Sequence, residues 1–560
     1  MKKTRKAARI LAFILALALL AFAPGCGEPG PSSQTPSGTP GQSPSRISSA
    51  SPAADSEGNG FTTGITLNSE GSITVFAFAE GQNYEKVLRR FEEITGGTLK
   101  TKLQFQWAAN IKTEQPLRLA EQGDIDLIFD GGWLNAASNI SQGLYKDISA
   151  YFNNPDYPGL QKAFPPILAE AMKNPSDGKI YGIPFNNSYN NLKTITLRGD
   201  WREKLGCEPV TDDATLEAYL KAVDEHKREL GAVSAMGLGD RGWYYFQEQT
   251  YENQRKNIFE VASTGARITQ NAYVLLNDEM NRVLDVMYIG DPSEEHPLFP
   301  DGNFLNSKTI ALAQRWNRYI NEDALSISGQ DVRGKFEAGL YGAIEIELGA
   351  FMELKNSLSA YAPGARLEFY LYDSQLANRE KVYMEKDLSN NYLFVPYYNE
   401  NPDRAMAVLD WVFESQANND LFTLGIEGED WEAVGERQYR LLNPSNKYVF
   451  PSWLFSINPF YTRQDADVPS YIMEYYAYSI DPGNFISHPF AGFSFDTNPV
   501  MMEYTAFTTA QQDYYPLFMN GGYGPDTKAK LEVFHSKTRA YKDVIREELK
   551  KQLNDYFRNK

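Results

Sequence analysis

The chain has 560 residues, a formal net charge of −18, two cysteines and four histidines. The acidic balance disfavours nucleic acid and anionic lipid as partners, two cysteines exclude a disulfide framework, and no Cys/His cluster suggests zinc. A chain this long exceeds what one hydrophobic core supports, so we expect two or more lobes.

The N-terminus combines a basic start, an apolar run over residues 10–23 and small residues at a potential cleavage site. This arrangement is typical of a secretory signal peptide, and the run is too short to cross the roughly 30 Å hydrocarbon core of a bilayer as a helix. We therefore predict a signal peptide over residues 1–25. Residues 26–71 are dominated by Pro, Ser, Gly and Thr, cannot bury a core and are expected to form a disordered tether.

Ordered structure is expected from residue 72 onwards. The pattern predicts strands over 73–78, 103–107 and 126–129, with helices over 84–95 and 114–122 between them. This alternation at this spacing indicates parallel βαβ units. Because ligands of open parallel sheets bind beyond the carboxyl ends of the strands, we expect residues 79–81 and 130–135 to border a binding site.

Further elements follow at irregular intervals. The sequence predicts strands over 192–197 and 391–395, a turn and strand over 336–348, an amphipathic helix over 403–413 and a charged helical end over 528–557. Aromatic residues make up 13% of the chain. Such rings can stack on sugars, although most of them are expected to pack in the core.

Several segments occur in the order found in one family of transport proteins. The segments are ITVFAFAEG, GDIDLIFDGGW, DGKIYGIPFNNS, FEAGLYGAIE and NPDRAMAVLDWVF. Together they resemble the extracellular solute-binding proteins of bacterial ABC importers, in the branch that binds maltose and other oligosaccharides. The later segments LFTLGIEGEDWEAVG and GFSFDTNPVMMEYTAF are similar to the long surface lipoproteins of Paenibacillus-type Gram-positive bacteria.

The resemblance implies an α/β fold of the bilobal periplasmic-binding-protein type (type II, maltose-binding-like), with a hinge and an interlobe cleft. Lobe 1 is expected to contain residues 72–185 and about 388–430. Lobe 2 is expected to contain residues 186–387 and about 431–560, ending in a helical extension. The resemblance also implies that Cys26 is lipidated, as in a lipobox, which would hold the protein on the extracellular face of the cell membrane.

The implied function is capture of a carbohydrate, most simply an oligosaccharide, by cleft closure, followed by delivery to the transmembrane subunits of an ABC permease. A sugar site needs aromatic platforms and polar groups for the hydroxyls. The resemblance and the strand-end rule together indicate nine ligand-binding residues: Glu80, Trp133, Asn135, Asn186, Asn187, Tyr189, Trp243, Glu347 and Trp453. Structural roles stay open for several of them, namely capping at Asn135, backbone satisfaction by the Asn pair and core packing of Trp243 and Trp453.

Other functions remain compatible with the sequence. The same fold could bind a peptide or another solute, or serve a surface interaction or sensory role without transport. An enzyme is not expected, because neither a Gly-x-Ser-x-Gly elbow nor a His-Glu-x-x-His motif is present. No cofactor and no metal are expected either, since the acidic segment 291–303 lacks the ligand spacing of an EF-hand.

Overall fold

The computed structural model describes residues 60–62, 65–132, 134–174, 177–185, 189–190, 192–239, 243, 254–261, 272–288, 290–299, 307–384, 391–442, 448–491, 493 and 495–559. Its strands, numbered along the chain, are β1 (Gly71–Phe78), β2 (Thr101–Ala108), β3 (Leu127–Gly131), β4 (Gly182–Pro184), β5 (Lys193–Arg198), β6 (Ser234–Gly237), β7 (Ile258–Val261), β8 (Ala272–Leu276), β9 (Val283–Tyr288), β10 (Tyr341–Glu347), β11 (Leu367–Leu371), β12 (Val382–Tyr383), β13 (Asn391–Phe394), β14 (Trp431–Val434), β15 (Gln438–Leu441), β16 (Gln464–Asp465) and β17 (Phe485–Ile486).

Its α-helices, also numbered along the chain, are α1 (Glu85–Thr95), α2 (Ile111–Glu121), α3 (Ala136–Ser141), α4 (Ser149–Phe152), α5 (Pro158–Ala163), α6 (Pro166–Ala171), α7 (Gly199–Lys204), α8 (Asp213–Glu225), α9 (Lys227–Leu230), α10 (Ser307–Trp316), α11 (Gly329–Glu337), α12 (Phe351–Tyr361), α13 (Ser374–Ala377), α14 (Pro402–Glu414), α15 (Gln416–Thr423), α16 (Ser470–Ile480), α17 (Met501–Met519) and α18 (Thr527–Asn559). Helix α2 begins three residues earlier than expected, because the Asn110 side chain accepts a hydrogen bond from the Lys112 amide at 3.1 Å and caps the helix.

The first sheet has the order β2-β1-β3-β13-β4. Strand β1 is parallel to β2 and to β3, and β13 is antiparallel to both β3 and β4. Strand β4 therefore runs parallel to β3, so that β1, β2, β3 and β4 all end at the same edge of the sheet. Every residue of β3 is buried, whereas β2 alternates between buried and more exposed positions, as an edge strand does.

The second sheet has the order β11-β5-β10-β6. Strand β5 is antiparallel to both of its neighbours, β10 and β11, while β6 is parallel to β10. The start of β5 thus lies beside the end of β10, where Lys193 is the register partner of Glu347.

The chain crosses between the two sheets from the edge at which the strands of the first sheet end. One crossing leads from β4 to β5, and another returns from β11 through β12 to β13. The two crossings lie next to each other where they join the first sheet, because the Phe185 amide donates a hydrogen bond to the Asn391 carbonyl at 3.1 Å. This arrangement is the bilobal α/β fold of a type II binding protein, with the hinge at the crossings.

One segment packs differently from the expected division of the chain. Gln82 and Val449 form a β-bridge, and the rings of Phe450 and Phe455 lie 5.2 and 5.4 Å from the ring of Phe105 on β2. These contacts attach residues 448–457 to the first sheet, whereas the sequence analysis assigned residues 431–560 to lobe 2. The cause is aromatic burial, since the rings of Phe450 and Phe455 cover Phe105, which shares the inward face of β2 with the buried Leu103.

The C-terminal helices α17 and α18 pack on the sheet formed by β7, β8 and β9, and a buried carboxylate anchors α18 there. Asp291, which is 0% exposed, pairs with Lys542 and with Arg546, whose Nη2 lies 2.8 Å from Oδ2. The rings of His296 and His535 lie 3.4 and 3.6 Å from the same carboxylate. One carboxylate therefore faces two cations and two imidazoles.

The protonation equilibria in this cluster reflect both burial and charge. Burial opposes ionisation of Asp291, yet hydrogen bonds from the two imidazoles and the charges of Lys542 and Arg546 hold its pKa well below the usual range. Burial also disfavours the charged form of His296, but hydrogen bonds to Asp285 and Asp291 raise its pKa to about 8.

Replacing the anchor should strongly destabilise the fold. We expect Asp291→Asn to lower the free energy of unfolding by about 3–5 kcal/mol, because Lys542 and Arg546 would stay buried without a counter-charge. Urea denaturation followed by circular dichroism measures the effect. Glu547→Gln, at an exposed carboxylate paired with Lys550, is the matched control and should change stability by less than about 1 kcal/mol. Equal effects of the two substitutions would contradict the role given to Asp291.

The raised pKa of His296 predicts a pH dependence. A group whose pKa is higher in the folded state stabilises the fold fully below its unfolded pKa, near 6.5, and this contribution is lost as pH rises through about 8. Wild-type protein should therefore lose about 2 kcal/mol more stability than His296→Gln between pH 6 and pH 8.5. Parallel stability profiles of the two proteins over this range would show that His296 is not charged in the folded state.

Candidate ligand-binding site

Two loops follow the strands that end at the crossing edge of the first sheet. Residues 79–83 follow β1 and carry the exposed side chain of Glu80, and residues 132–135 follow β3 and lead into α3, where Asn135 is exposed. Both side chains thus lie where the strand-end rule places a ligand.

The loop after β1 has a strained and tightly held backbone. Ala79 has a φ of 60°, in the left-handed region, which disfavours residues other than glycine. The Gln82 amide donates to the Val449 carbonyl at 2.7 Å, and the Val449 amide donates back at 3.0 Å. At Gly81 a Cβ would come within 2.2 Å of the Val449 oxygen, so only glycine fits this approach. The exposed Glu80 is therefore presented by a rigid loop.

Asp130 organises the loop after β3 from inside the protein. It is 0% exposed, and Oδ1 accepts hydrogen bonds from the amides of Gly131 at 2.7 Å and Asn135 at 3.1 Å. Oδ2 accepts from Asn139 Nδ2 at 2.8 Å and from the Tyr145 hydroxyl at 2.6 Å. Burial raises the pKa of Asp130, and these four donors oppose the rise. Asp130 therefore closes the turn.

Asp130 holds the turn, and among the described residues none forms a hydrogen bond with the Asn135 side chain. Asn135 is the N-cap residue of α3, but its side chain makes no capping hydrogen bond. Its exposed amide can both donate to and accept from a ligand hydroxyl.

The edge of the second sheet at which the β4–β5 crossing enters carries a carboxylate at the end of β10. Glu347 is exposed, and Glu345 is half-buried two residues earlier on the same strand. The Leu348 amide donates to the Leu192 carbonyl at 2.7 Å, which ties the end of β10 to the chain that has just crossed from the first sheet. Glu347 therefore lies beside the hinge.

Two aromatic candidates are buried. Tyr189 is 1% exposed, and its ring lies 5.7 Å from that of Phe485 in a stacked arrangement. Burial raises the pKa of Tyr189, and Asp481 adds to the rise. Trp243 is 0% exposed and packs 5.6 Å from Trp316 in the core of the second lobe. Neither ring is accessible to a ligand in this structure, so the proposed ligand contacts are formed by other residues.

The side chains of the remaining candidate residues lie outside the part of the chain that the structure describes. Cys26, Trp133, Asn186 and Asn187 lie outside the described residues, as does the side chain of Trp453 in the turn Ser452–Leu454. Over the described ranges, no group of three or more His, Cys, Asp or Glu side chains is placed to bind a metal ion. No helix in the described part of the chain is both long and apolar enough to span a bilayer.

Sequence reasoning did not select one partly exposed aromatic residue near Glu80. Trp107 lies at the end of β2, and its indole Nε1 donates to the Tyr84 hydroxyl at 2.9 Å. The sequence analysis predicted a strand over 103–107 but gave Trp107 no role. The alternation of β2, with glutamines at 104 and 106, was the available signal that one face of this strand differs from the other.

Two sequence families match the chain. The bacterial extracellular solute-binding protein family matches residues 77–419, and a domain of unknown function, DUF3502, matches residues 489–558. No curated protein sequence is similar enough to count as a relative.

Many solved structures share the fold. The N-glycan transport solute-binding protein NgtS of Streptococcus pneumoniae is 15% identical with a TM-score of 0.65, and the match covers 88% of this chain and 100% of NgtS. The HMO-binding, ABC-transporter-associated solute-binding protein of Bifidobacterium longum infantis is 13% identical with a TM-score of 0.57, covering 88% and 99%. The alginate-binding protein AlgQ2 is 14% identical with a TM-score of 0.57, covering 89% and 99%.

Identities this low establish the fold alone, but the family match covers more than half of the chain, and the bilobal architecture agrees with it. The chain belongs to the bacterial extracellular solute-binding protein family.

Proposed function

We propose that this protein is the surface-anchored solute-binding subunit of an ABC importer, which captures an oligosaccharide between its lobes and delivers it to the permease. The observation that carries this proposal is that exposed polar side chains occur at both ends of the β4–β5 crossing: Glu80 and Asn135 at the edge of the first sheet from which it leaves, and Glu347 beside the start of β5 in the second. Proteins of similar fold support the choice of ligand, since NgtS was solved with Man1GlcNAc and FusA with kestose.

The chemistry of these side chains suits a sugar. Carboxylates accept hydrogen bonds from hydroxyls, often two at a time, and the Asn135 amide both donates and accepts. A ligand that contacts Glu80 on one lobe and Glu347 on the other binds the closed form more tightly than the open form. Binding therefore shifts the population towards closure at the hinge, and the closed form is the one that the permease would recognise.

The N-terminal segment completes the proposal. Lipidation of Cys26 would anchor the chain. The tether predicted over residues 26–71 is shorter than expected, because the Thr62 carbonyl accepts a hydrogen bond from Trp411 Nε1 at 3.0 Å and β1 begins at Gly71. Residues 26–59 lie outside the described residues and, as a flexible linker, would have a root-mean-square length of about 30–35 Å. Such a tether would leave the two lobes free to reach a permease in the same membrane.

The proposed lipid attachment to the membrane is tested by Cys26→Ser. We expect wild-type protein in the membrane fraction of expressing Gram-positive cells and the variant in the medium, because a lipid chain is the only proposed attachment. Cys207→Ser removes the other cysteine and is the control, which should stay in the membrane fraction. Retention of Cys26→Ser on the membrane would contradict the lipoprotein assignment.

The ligand class is tested by a thermal-shift screen of residues 60–560 against neutral oligosaccharides, uronate oligomers and a peptide pool. A ligand at a hundred times its dissociation constant adds about 2.7 kcal/mol of stability, enough to raise the melting temperature measurably. Stabilisation by a sugar supports the proposal. Stabilisation by peptides alone would keep the fold and replace the ligand. If none of the three ligand classes stabilises the protein, the result would favour a surface interaction without transport.

Two isosteric substitutions test the contacts. Glu80→Gln and Glu347→Gln should each weaken binding of the sugar found in the screen by about 10-fold or more, because each removes a charge-assisted hydrogen bond. Isothermal titration calorimetry measures the affinities. Glu532→Gln, at an exposed position on α18, is the matched control and should leave affinity unchanged. If both site variants behave like this control, the ligand lies elsewhere.

A further inference from the structure

We infer that Trp107 is the platform of an additional sugar subsite beside Glu80, so that the ligand extends over more than one pyranose ring. This inference rests on the proposed function and specifies the length of the ligand. It concerns an aromatic shelf, defined as Tyr84, Phe105, Trp107 and Phe450, that borders the crossing edge of the first sheet.

The orientation of the Trp107 ring follows from its stacking. Its ring centroid lies 5.1 Å from that of Phe105, and the two planes are inclined by only 11°. Residues two apart on a strand share a face and follow one another along its axis. Phe105 therefore covers the face of the indole that looks back along β2. The opposite face looks past the carboxyl end of β2, in the direction of the candidate site.

The other ring neighbours meet Trp107 at steep angles. Tyr84 lies 5.7 Å away at 83°, and Phe450 lies 6.3 Å away at 74°. Within the described part of the chain, the ring contacts of Trp107 are these two and Phe105, so none of them stacks on its outer face. The partial exposure of the indole agrees with this.

The polar atom of the indole is already satisfied. Trp107 Nε1 donates to the Tyr84 hydroxyl at 2.9 Å, which fixes the rotation of the ring. Burial raises the pKa of Tyr84, and the nearby carboxylates of Glu80 and Glu85 add to the rise, so Glu80 lies close to the Tyr84 hydroxyl. The shelf thus offers an apolar face for the C–H side of a sugar ring, with a carboxylate at its border for the hydroxyls.

The shelf is also rigid before any ligand arrives. Tyr84 follows directly on the loop that is bridged to Val449, and Phe450 is the next residue after that bridge. Asn83, between Glu80 and the shelf, holds a left-handed φ of 57°. A platform fixed in this way loses little entropy on binding, which favours affinity.

The spacing of the strands sets the size of the ligand. Strands β2, β1 and β3 are neighbours. Trp107 lies at the end of β2, and Glu80 and Asn135 follow the ends of β1 and β3. Adjacent strands lie about 4.8 Å apart, and the row is therefore about 10 Å wide. A single pyranose ring cannot contact both ends of such a row, whereas a disaccharide or longer chain can.

The test compares the smallest and the largest neutral oligosaccharides that stabilise the wild-type protein in the screen described above. By calorimetry, Trp107→Ala should weaken binding of the largest sugar by at least about 10-fold, as truncation of a central aromatic contact does, and weaken binding of the smallest sugar less. Gln106→Ala, an exposed neighbour on the other face of β2, is the control and should bind as wild type does.

A second measurement covers the case in which Trp107→Ala fails to fold. In protein labelled with 5-fluorotryptophan, the fluorine resonance absent from Trp107→Phe identifies Trp107. This resonance should shift on addition of the largest sugar. If a sugar binds the wild type but neither the affinity of a folded variant nor the resonance changes, the subsite is overturned while the proposed function stands. If no sugar binds the wild type, the proposed function itself fails and the subsite fails with it.

Discussion

The parallel alignment of β1, β2, β3 and β4 is the constraint on which the rest of this structure depends. Parallel strands end at one edge, and the chain leaves the first sheet from that edge to enter the second. The hinge, the candidate ligand groups and the aromatic shelf are neighbours for this reason alone. In the proposed function, a solute that bridges the two sheets would contact the segments that join them.

The two exposed loops of the first lobe are rigid by different means. The loop after β1 is held from outside by the backbone of Val449, whereas the loop after β3 is held from inside by the buried carboxylate of Asp130. In both cases the structural groups are distinct from the exposed side chains that they present. Such a division leaves Glu80 and Asn135 available to a ligand without loss of the turns.

The C-terminal helix is held on the second lobe by buried ion pairs. Lys542 and Arg546 follow each other at i and i+4 on α18 and converge on Asp291, which lies on the loop after β9. These ion pairs orient the long terminal helix on the second lobe. Because a buried charge without its partner is costly, the helix has one favourable register on the sheet. The region that matches the domain of unknown function contains this helix.

The sequence by itself determined the βαβ order and the positions of the strand ends, because hydrophobic periodicity is a local property. The family followed from segments that resemble it, and Glu80 and Asn135 were predicted from the strand-end rule together with that resemblance. Only the tertiary structure decided which rings are buried, since the sequence around Tyr189 and Trp243 does not reveal which side chains pack against the faces of their rings. The same holds for Trp107, which stacks on Phe105 with only one of its faces, and for Phe450, whose partners include Phe105, more than 300 residues away. Periodicity predicts that a side chain is buried, but long-range packing alone selects its neighbours.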